Sequence, residues 1–400
     1  MKNIGLLTVI GIFVFMGGLG LGRDISDLPR GEVLQKAMDE SLKNSGAVGV
    51  SAAVIFPDGK MWKGASGISH KGVPLTTEML FNIASIQKNF QAALVLKLAE
   101  EGLLALDDPV EKWLPPSLHI DGKITIRQLL SMTSGISDFV RAPKSPWRVG
   151  YRNIEFERIW TWEEIRSDLV GEPNFKPGEA CEYSTTNYIV LKHIIEKATQ
   201  SKIATVFEKR LLRPMRLDRT LADFSIPVPK SRTVAHGWLD VNGDGNLIDI
   251  SGDSINWLIS LSPLLVYSTP DDLVKWIDEL FHKKTVLSEK TLKAMLAFSG
   301  PVLNEPMMKR YGLGVVDINI GALMPEWDGI RCYGHLGNSL GYTSSVAYFP
   351  DYGFSVSMMF NRGCDEGTER AVAIVTRSFF ETLFKILGLR EPIPKTSVSQ

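Results

Sequence analysis

Apolar residues recur at helical spacing over 30–44 (RGEVLQKAMDESLKN), with Val33, Leu34, Ala37, Met38 and Leu42 on one side and Gly46 soon after the end. The pattern then changes period. Val48 to Phe56 is rich in Val, Ala and Ile, Pro57-Asp58-Gly59 reads as a turn, and Met61 to Ile68 returns as the second strand of a hairpin. From about 85 to 290 the spacing is mostly helical, with start signals at Thr125 with Gln128, Thr161 with Glu164, and Thr269-Pro270 with Asp272. Strand patterns resume at Tyr311 to Ile320, Arg331 to His335 and Thr343 to Phe349. The last is joined by Pro350-Asp351-Tyr352-Gly353 to Phe354–Phe360 as a hairpin. A closing helix over 369–387 carries Ala371, Val372, Val375, Phe379, Leu383 and Ile386 on one face and stops at Gly388. Strands at both ends with helices between them predict an α+β fold. Its sheet is largely antiparallel, is built from both chain ends (about 45–70 and 310–390) and is flanked by helices. A mostly helical region (about 85–300) is inserted, with the active site at the junction.

Met1-Lys2-Asn3 precedes an apolar run from Ile4 to Leu21, and Arg23-Asp24 restarts polar sequence. A positive residue, an apolar stretch and small residues at Gly17 to Gly22 predict a signal peptide over 1–23; a run of about 18 residues is also long enough for an uncleaved anchor. Either reading places the body, 24–390, outside the cytoplasm, periplasmic or secreted, with membrane association only through this segment and a short tail at 391–400.

The 400 residues carry 44 Lys+Arg against 45 Asp+Glu and are 44% apolar, which excludes disorder as the main state. No Lys/Arg-rich run or basic aromatic platform offers a footprint for nucleic acid, which is therefore not an expected partner. Cys181, Cys332 and Cys364 leave at least one thiol unpaired and have no ligand spacing, and no cofactor is implied.

Ser85-Ile86-Gln87-Lys88 opens the apolar helix from Phe90 to Leu98. An offset of three places the two side chains on one helical turn, where a partly desolvated amine can take the serine's proton. A backbone N–H at a helix start is also suited to an oxyanion. An N-capping serine followed by a solvated lysine writes the same four letters.

The surroundings narrow the choice. Phe81 to Lys88, then Leu96 to Leu106 with Asp107 and Trp113-Leu114-Pro115, then Ile124 to Gly135 (ITIRQLLSMTSG), together resemble the serine β-lactamase and penicillin-binding-protein family, in the branch of class C β-lactamases and D-alanyl-D-alanine carboxypeptidases. Phe175-Lys176-Pro177-Gly178 through Tyr183-Ser184-Thr185-Thr186-Asn187-Tyr188 to Ile195-Glu196 is similar to its Y-x-N region, and Gly334-His335-Leu336-Gly337-Asn338 to its K-T-G or H-x-G strand. The resemblance spans roughly 30–385 and implies a β-lactamase/transpeptidase-like fold with a small-molecule or peptide substrate. It implies Ser85 as nucleophile, with Lys88 and Tyr183 sharing the proton. His335 and Gly337 would lie at the substrate, and the N–H groups of Ser85 and Asn338 would form the oxyanion hole. Thr185 stands where the family has Asn, replacing an amide with a shorter hydroxyl, and an imidazole at 335 holds a carboxylate less strongly than an ammonium. These departures favour a broad serine hydrolase, peptidase-like or esterase-like, over a dedicated β-lactamase. A non-catalytic binder or sensor of cell-wall peptides or β-lactams is the alternative.

Three further patterns compete for attention. Gly337-Asn338-Ser339-Leu340-Gly341 is literally G-x-S-x-G, yet Tyr342 to Phe349 reads as strand where a nucleophile elbow needs a helix. Asp240, Asn242 and Asp244 match the first half of a calcium loop whose closing position is Ser251; the alternative is a metal-free turn. Trp147, Trp160 and Trp162 lie between the first two motifs, either walling a cleft or packing beneath a loop.

Overall fold

Val48 to Ile68 folds as the hairpin its composition predicts: β1 (Gly49–Ile55) and β2 (Met61–His70) pair antiparallel, with Ile55 opposite Met61. After the short β3 (Val73–Pro74), the remaining strands of this sheet come from the other end of the chain. They are β4 (Met308–Tyr311), β5 (Val316–Ile318), β6 (Tyr333–Ser339), β7 (Tyr342–Phe349) and β8 (Phe354–Phe360). The order is β4-β5-β6-β7-β8-β1-β2-β3, antiparallel throughout, and the two ends of the chain meet where Val50 of β1 faces Phe360 of β8. The computed structural model describes residues 29–148, 153–223, 228, 231–251 and 255–389; the expected export segment, 1–23, and the tail, 391–400, lie outside them.

Five helices frame the site: α1 (Arg30–Ser45), α2 (Gln87–Glu100), α3 (Thr185–Thr199), α4 (Pro270–Ile277) and α5 (Glu366–Ile386). Every residue of β1 and β8 is buried, because the sheet is covered on both faces. On one face α1 packs along α5, whose aromatic side chains reach the sheet, as in the Trp62–Phe379 and Phe349–Phe380 ring contacts at 5.8 and 5.7 Å. On the other, α4 lies close against β1 and β8. The small side chains of β8 permit that approach: Ser357 Oγ donates to Pro270 O at 2.6 Å and Ser355 Oγ to Asp278 at 3.2 Å.

Helix α2 is buried almost all round, as its Ala- and Leu-rich sequence without a polar face requires. Phe90 stacks on Trp276 at 4.0 Å, and the Asn89 side chain donates to Gly314 O and accepts from Trp276 Nε1, each at 2.8 Å. The segment read as one strand from Tyr311 to Ile320 is two, because Gly314 turns the chain at φ 72; a Cβ there would sit 2.1 Å from that of Ala92. The strand read over Arg331 to His335 runs instead from Tyr333 to Ser339. Both capping boxes, Thr125 with Gln128 and Thr161 with Glu164, form. Thr269 makes no side-chain cap, and the Asp272 carboxylate instead accepts from Arg219 N and Thr220 Oγ1. No helix of the described residues is long and apolar enough to cross a membrane.

Candidate active site

Ser85 sits where the sheet side of the molecule hands over to α2. Ile83 N donates to Val266 O at 3.1 Å, ending a three-stranded ribbon (Phe81–Asn82, Leu221–Ala222 and Val266–Ser268). Ala84 then adopts the left-handed conformation at φ 48, a strained position for a residue with a Cβ, while its N–H donates to Asn82 Oδ1 at 2.8 Å. A single 3₁₀ turn, Ala84–Ile86, leads into α2 and turns the Ser85 side chain into a cleft of about 810 Å³. One turn on, Lys88 Nζ lies 2.9 Å from Ser85 Oγ. Lys88 is only 2% exposed, and burial pushes its ammonium down to about 7 against the opposing pull of Asp138. Its Nζ lies 5.0 Å from the centre of the Tyr183 ring.

Tyr183 reaches this point because the first and second motifs are tied together. Glu182 N donates to Met132 O, Gly178 N to Thr133 O and Ser134 Oγ to Asn187 Oδ1, the last at 2.7 Å. Thr186 Oγ1 donates to Ser137 O and accepts from Phe139 N. Gly135 has φ 78, and a Cβ on it would lie 2.0 Å from Phe175 O, so the T-S-G and F-K-P-G stretches are close because one glycine lets them cross. Among the described residues the Tyr183 hydroxyl has no hydrogen bond of normal length. The Ser85 hydroxyl is near enough to favour the phenolate slightly, but burial dominates and holds the phenol well above its ordinary value.

The third motif arrives on β6. Among the described residues no strand pairs with its β5 side beyond Gly334, and Leu336, Gly337, Asn338 and Ser339 line the cleft. Gly337 is there for contact: a Cβ would meet Ile83 O and Ser344 Oγ, each at 2.5 Å, while Ser344 Oγ itself donates to Ile83 O at 2.9 Å. Gly337→Ala is therefore expected to push β6 off the Ser85 turn. Steady-state kinetics should show turnover falling about a hundredfold, with a lowered Tm, and wild-type rates would remove the need for this close approach. Asn338 lies on the exposed side of β6, and its Oδ1 accepts from Cys364 N at 3.1 Å, which leaves its backbone as the part able to share an oxyanion with Ser85 N–H.

His335 does not stand at the cleft wall. It is fully buried, its Nδ1 bonded to Leu336 O at 2.7 Å and its Nε2 to the Tyr311 hydroxyl at 2.8 Å, so both ring nitrogens are occupied away from the cleft. Burial and the neighbouring Lys88 charge push it down to about 3, which keeps it neutral. Alternation along β6 puts His335 on the same face as Gly337, toward Lys88, but one residue pair deeper, where the Tyr311 hydroxyl covers its ring and keeps it out of the cleft lining.

Asp138 was not among the expected site residues, yet it lines the same cleft. Its Oδ1 accepts from Val140 N at 3.2 Å and Thr185 N at 3.1 Å, and burial raises its carboxyl to about 6 against the pull of Lys88. Its sequence signal was slight: an Asp three residues beyond the T-S-G glycine, capping the short helix Phe139–Arg141. Arg141, 3.8 Å from Asp138 Oδ2, is closer to Glu305, with which it pairs. Thr185 also lines the cleft.

The remaining candidates separate. Trp147 lines the cleft, whereas Trp160 lies under the Arg158 guanidinium and Trp162 packs at a tilt against His193. Ser339 ends β6, and Leu340-Gly341, with Gly341 at φ 73, closes a hairpin to β7, so G-x-S-x-G is a strand turn. In the 240–246 loop both Asp240 carboxylate oxygens accept backbone N–H groups, from Asn242, Gly243, Asp244 and Gly245. That carboxylate is engaged with its own turn, and no group of acidic, His or Cys side chains fit to hold a metal occurs among the described residues.

Comparison with known proteins gives one consistent answer. The family model described as Beta-lactamase matches residues 34–377. Penicillin-binding protein 4* of Bacillus subtilis (strain 168) is 28% identical over 308 residues, 75% of this chain and 64% of that protein. Esterase EstB of Burkholderia gladioli is 31% identical over 193 residues, 46% of this chain and 49% of its own length. The crystal structure of a D-stereospecific amidohydrolase from Streptomyces sp. superposes with a TM-score of 0.71 at 26% identity, covering 86% of this chain and 98% of that one.

Proposed function

This chain belongs to the beta-lactamase family, and we propose that within it the protein is a serine hydrolase that opens esters or amides through an acyl-enzyme on Ser85. The observation that carries the proposal is the 2.9 Å contact between the Ser85 hydroxyl and a buried lysine amine. With Lys88 pushed down to about 7, a substantial fraction is neutral near neutral pH and able to accept the hydroxyl proton. Tyr183, held far above its ordinary value, stays a neutral phenol, which makes Lys88 the base and Tyr183 the relay. Ser85 Oγ bonds to the carbonyl carbon as its proton passes to Lys88. The oxyanion rests on the N–H groups of Ser85 and Asn338, and the proton reaches the leaving group through the Tyr183 hydroxyl as the scissile bond breaks. Water then repeats the sequence on the acyl-enzyme, releasing the acid and restoring Ser85.

The rest of the cleft supports a relatively apolar substrate, since Leu264, Leu265, Met307, Leu323 and Val372 line it. Thr185 supports esters over amides, because a short hydroxyl there replaces an amide. Thr185→Asn should accordingly raise kcat/KM on a D-amino-acyl anilide relative to the matching p-nitrophenyl ester by roughly fivefold to tenfold, about one hydrogen bond; an unchanged ratio removes that role from position 185. The apolar run from Ile4 to Leu21 supports action outside the cytoplasm, which fractionation of the full chain would test.

The deciding experiment is intact-mass labelling with a fluorophosphonate and a labelled penicillin, followed by peptide mapping. One adduct on the peptide bearing Ser85, with steady turnover of a p-nitrophenyl ester, is the expected result. An unmodified mass, or an adduct elsewhere, overturns the proposal; one equivalent of acylation with no turnover turns the reading into that of a binder.

A further inference from the structure

Around Lys88 the charges are few. On α2 its partner is the Ser85 hydroxyl, and the helix start at 185 and the stretch before it bring two phenols, Tyr183 and Tyr188, whose rings lie 5.0 and 5.9 Å from Nζ. From β6 comes His335, which stays neutral. The anion whose charge acts on Lys88 is Asp138, and Lys88 is in turn the foremost charge acting on Asp138. Arg141, the other cation near that carboxylate, is paired with Glu305. A buried ammonium and a buried carboxylate thus line one cleft, each acted on by the other's charge.

We propose, building on Ser85 as the nucleophile, that Asp138 is the positioning residue of the proton transfer: its carboxylate is the counter-charge that sets how readily the Lys88 amine gives up and takes the serine proton. Asp138 does so from a fixed place. Oδ1 is held by Val140 N and Thr185 N, so the carboxylate is anchored both to the end of the T-S-G segment and to the first residue of α3. Oδ2 lies 3.8 Å from Arg141, and the carboxylate shares the lining of the cleft with Ser85 and Lys88. The sign follows. An ionised Asp138 stabilises the Lys88 ammonium, so the amine becomes free to act as base only at higher pH than burial alone would set.

Asp138→Asn separates charge from anchoring, because the amide oxygen still accepts from Val140 and Thr185 while the charge is gone. The measurement is the rate of Ser85 acylation by a fluorophosphonate over about pH 5 to 9, with the adduct mapped at each end. The acid limb should move down by about one unit, so that the variant labels several times faster than wild type on the acid side of the profile. An acid limb in its wild-type place, with labelling still on Ser85, overturns the role of Asp138 and leaves the nucleophile standing. Absence of labelling in wild type overturns the nucleophile instead. If Asp138→Asn does not fold, Asp138→Ser, which also caps from position 138, carries the same measurement. Loss of fold in both makes Asp138 a structural cap and overturns the proposal.

Discussion

Ser85→Ala is expected to lower p-nitrophenyl ester hydrolysis by about 10⁴-fold or more and to abolish covalent labelling, with Tm changed little. The substitution removes the atom that bonds to the carbonyl and nothing that shapes the cleft. Ala84 keeps its left-handed turn and its bond to Asn82, Gly337 still backs onto Ile83, and the Ser85 and Asn338 N–H groups stay in place. What remains is substrate binding and whatever the donors add to attack by water. A variant within about tenfold of wild type would place the nucleophile elsewhere, since loss of a covalent step is not recovered by neighbouring groups.

Lys88→Met should separate activity from stability. Removing the base is expected to cost about 10³-fold in acylation, because Tyr183, high above its ordinary value, cannot replace it near neutral pH. The same substitution exchanges an amine that burial holds well below its ordinary value for a thioether of similar length, and at neutral pH and below a gain of about 1–2 kcal/mol, a few degrees in Tm, is expected. The pH dependence has a definite sign. Lys88 sits below its ordinary value of 10.5 in the folded protein, so between about 7 and 10.5 the unfolded chain binds more protons and wild-type stability from this group rises with pH. The advantage of Met is therefore largest below about pH 7 and fades toward pH 10.5. Asp138, left without its cation, takes up a proton more readily and reduces part of the gain. Thermal melts at several pH values read this directly; a Met variant less stable at every pH would show that the amine contributes more by packing and hydrogen bonding than it loses by burial.

The sequence made the scaffold plain where period and turn chemistry agreed. The hairpin at Pro57-Asp58-Gly59, the closing helix and the β7–β8 hairpin fall where expected, and the sheet joins the chain ends as predicted. The site was legible in its short-range part, Ser85 to Lys88, because three residues on one turn fix a distance. Tyr183 came only through resemblance, since nothing in its own neighbourhood announces that Gly135 lets a distant loop cross. His335 was placed at the cleft wall by resemblance alone; its burial under the Tyr311 hydroxyl is a tertiary fact that the strand pattern does not carry. Asp138 escaped notice because the property that marks it, burial opposite Lys88, is tertiary and leaves no local pattern.

The pairing of β1 with β8 has a consequence for biogenesis. With Val50 opposite Phe360, the first hairpin made keeps a bare edge until β8, about 310 residues further along, has left the ribosome, so the central layer cannot close while the intervening region is being made. Until then that edge stays open to pairing with another chain, so closure of the central sheet depends on the intervening helical region having been made.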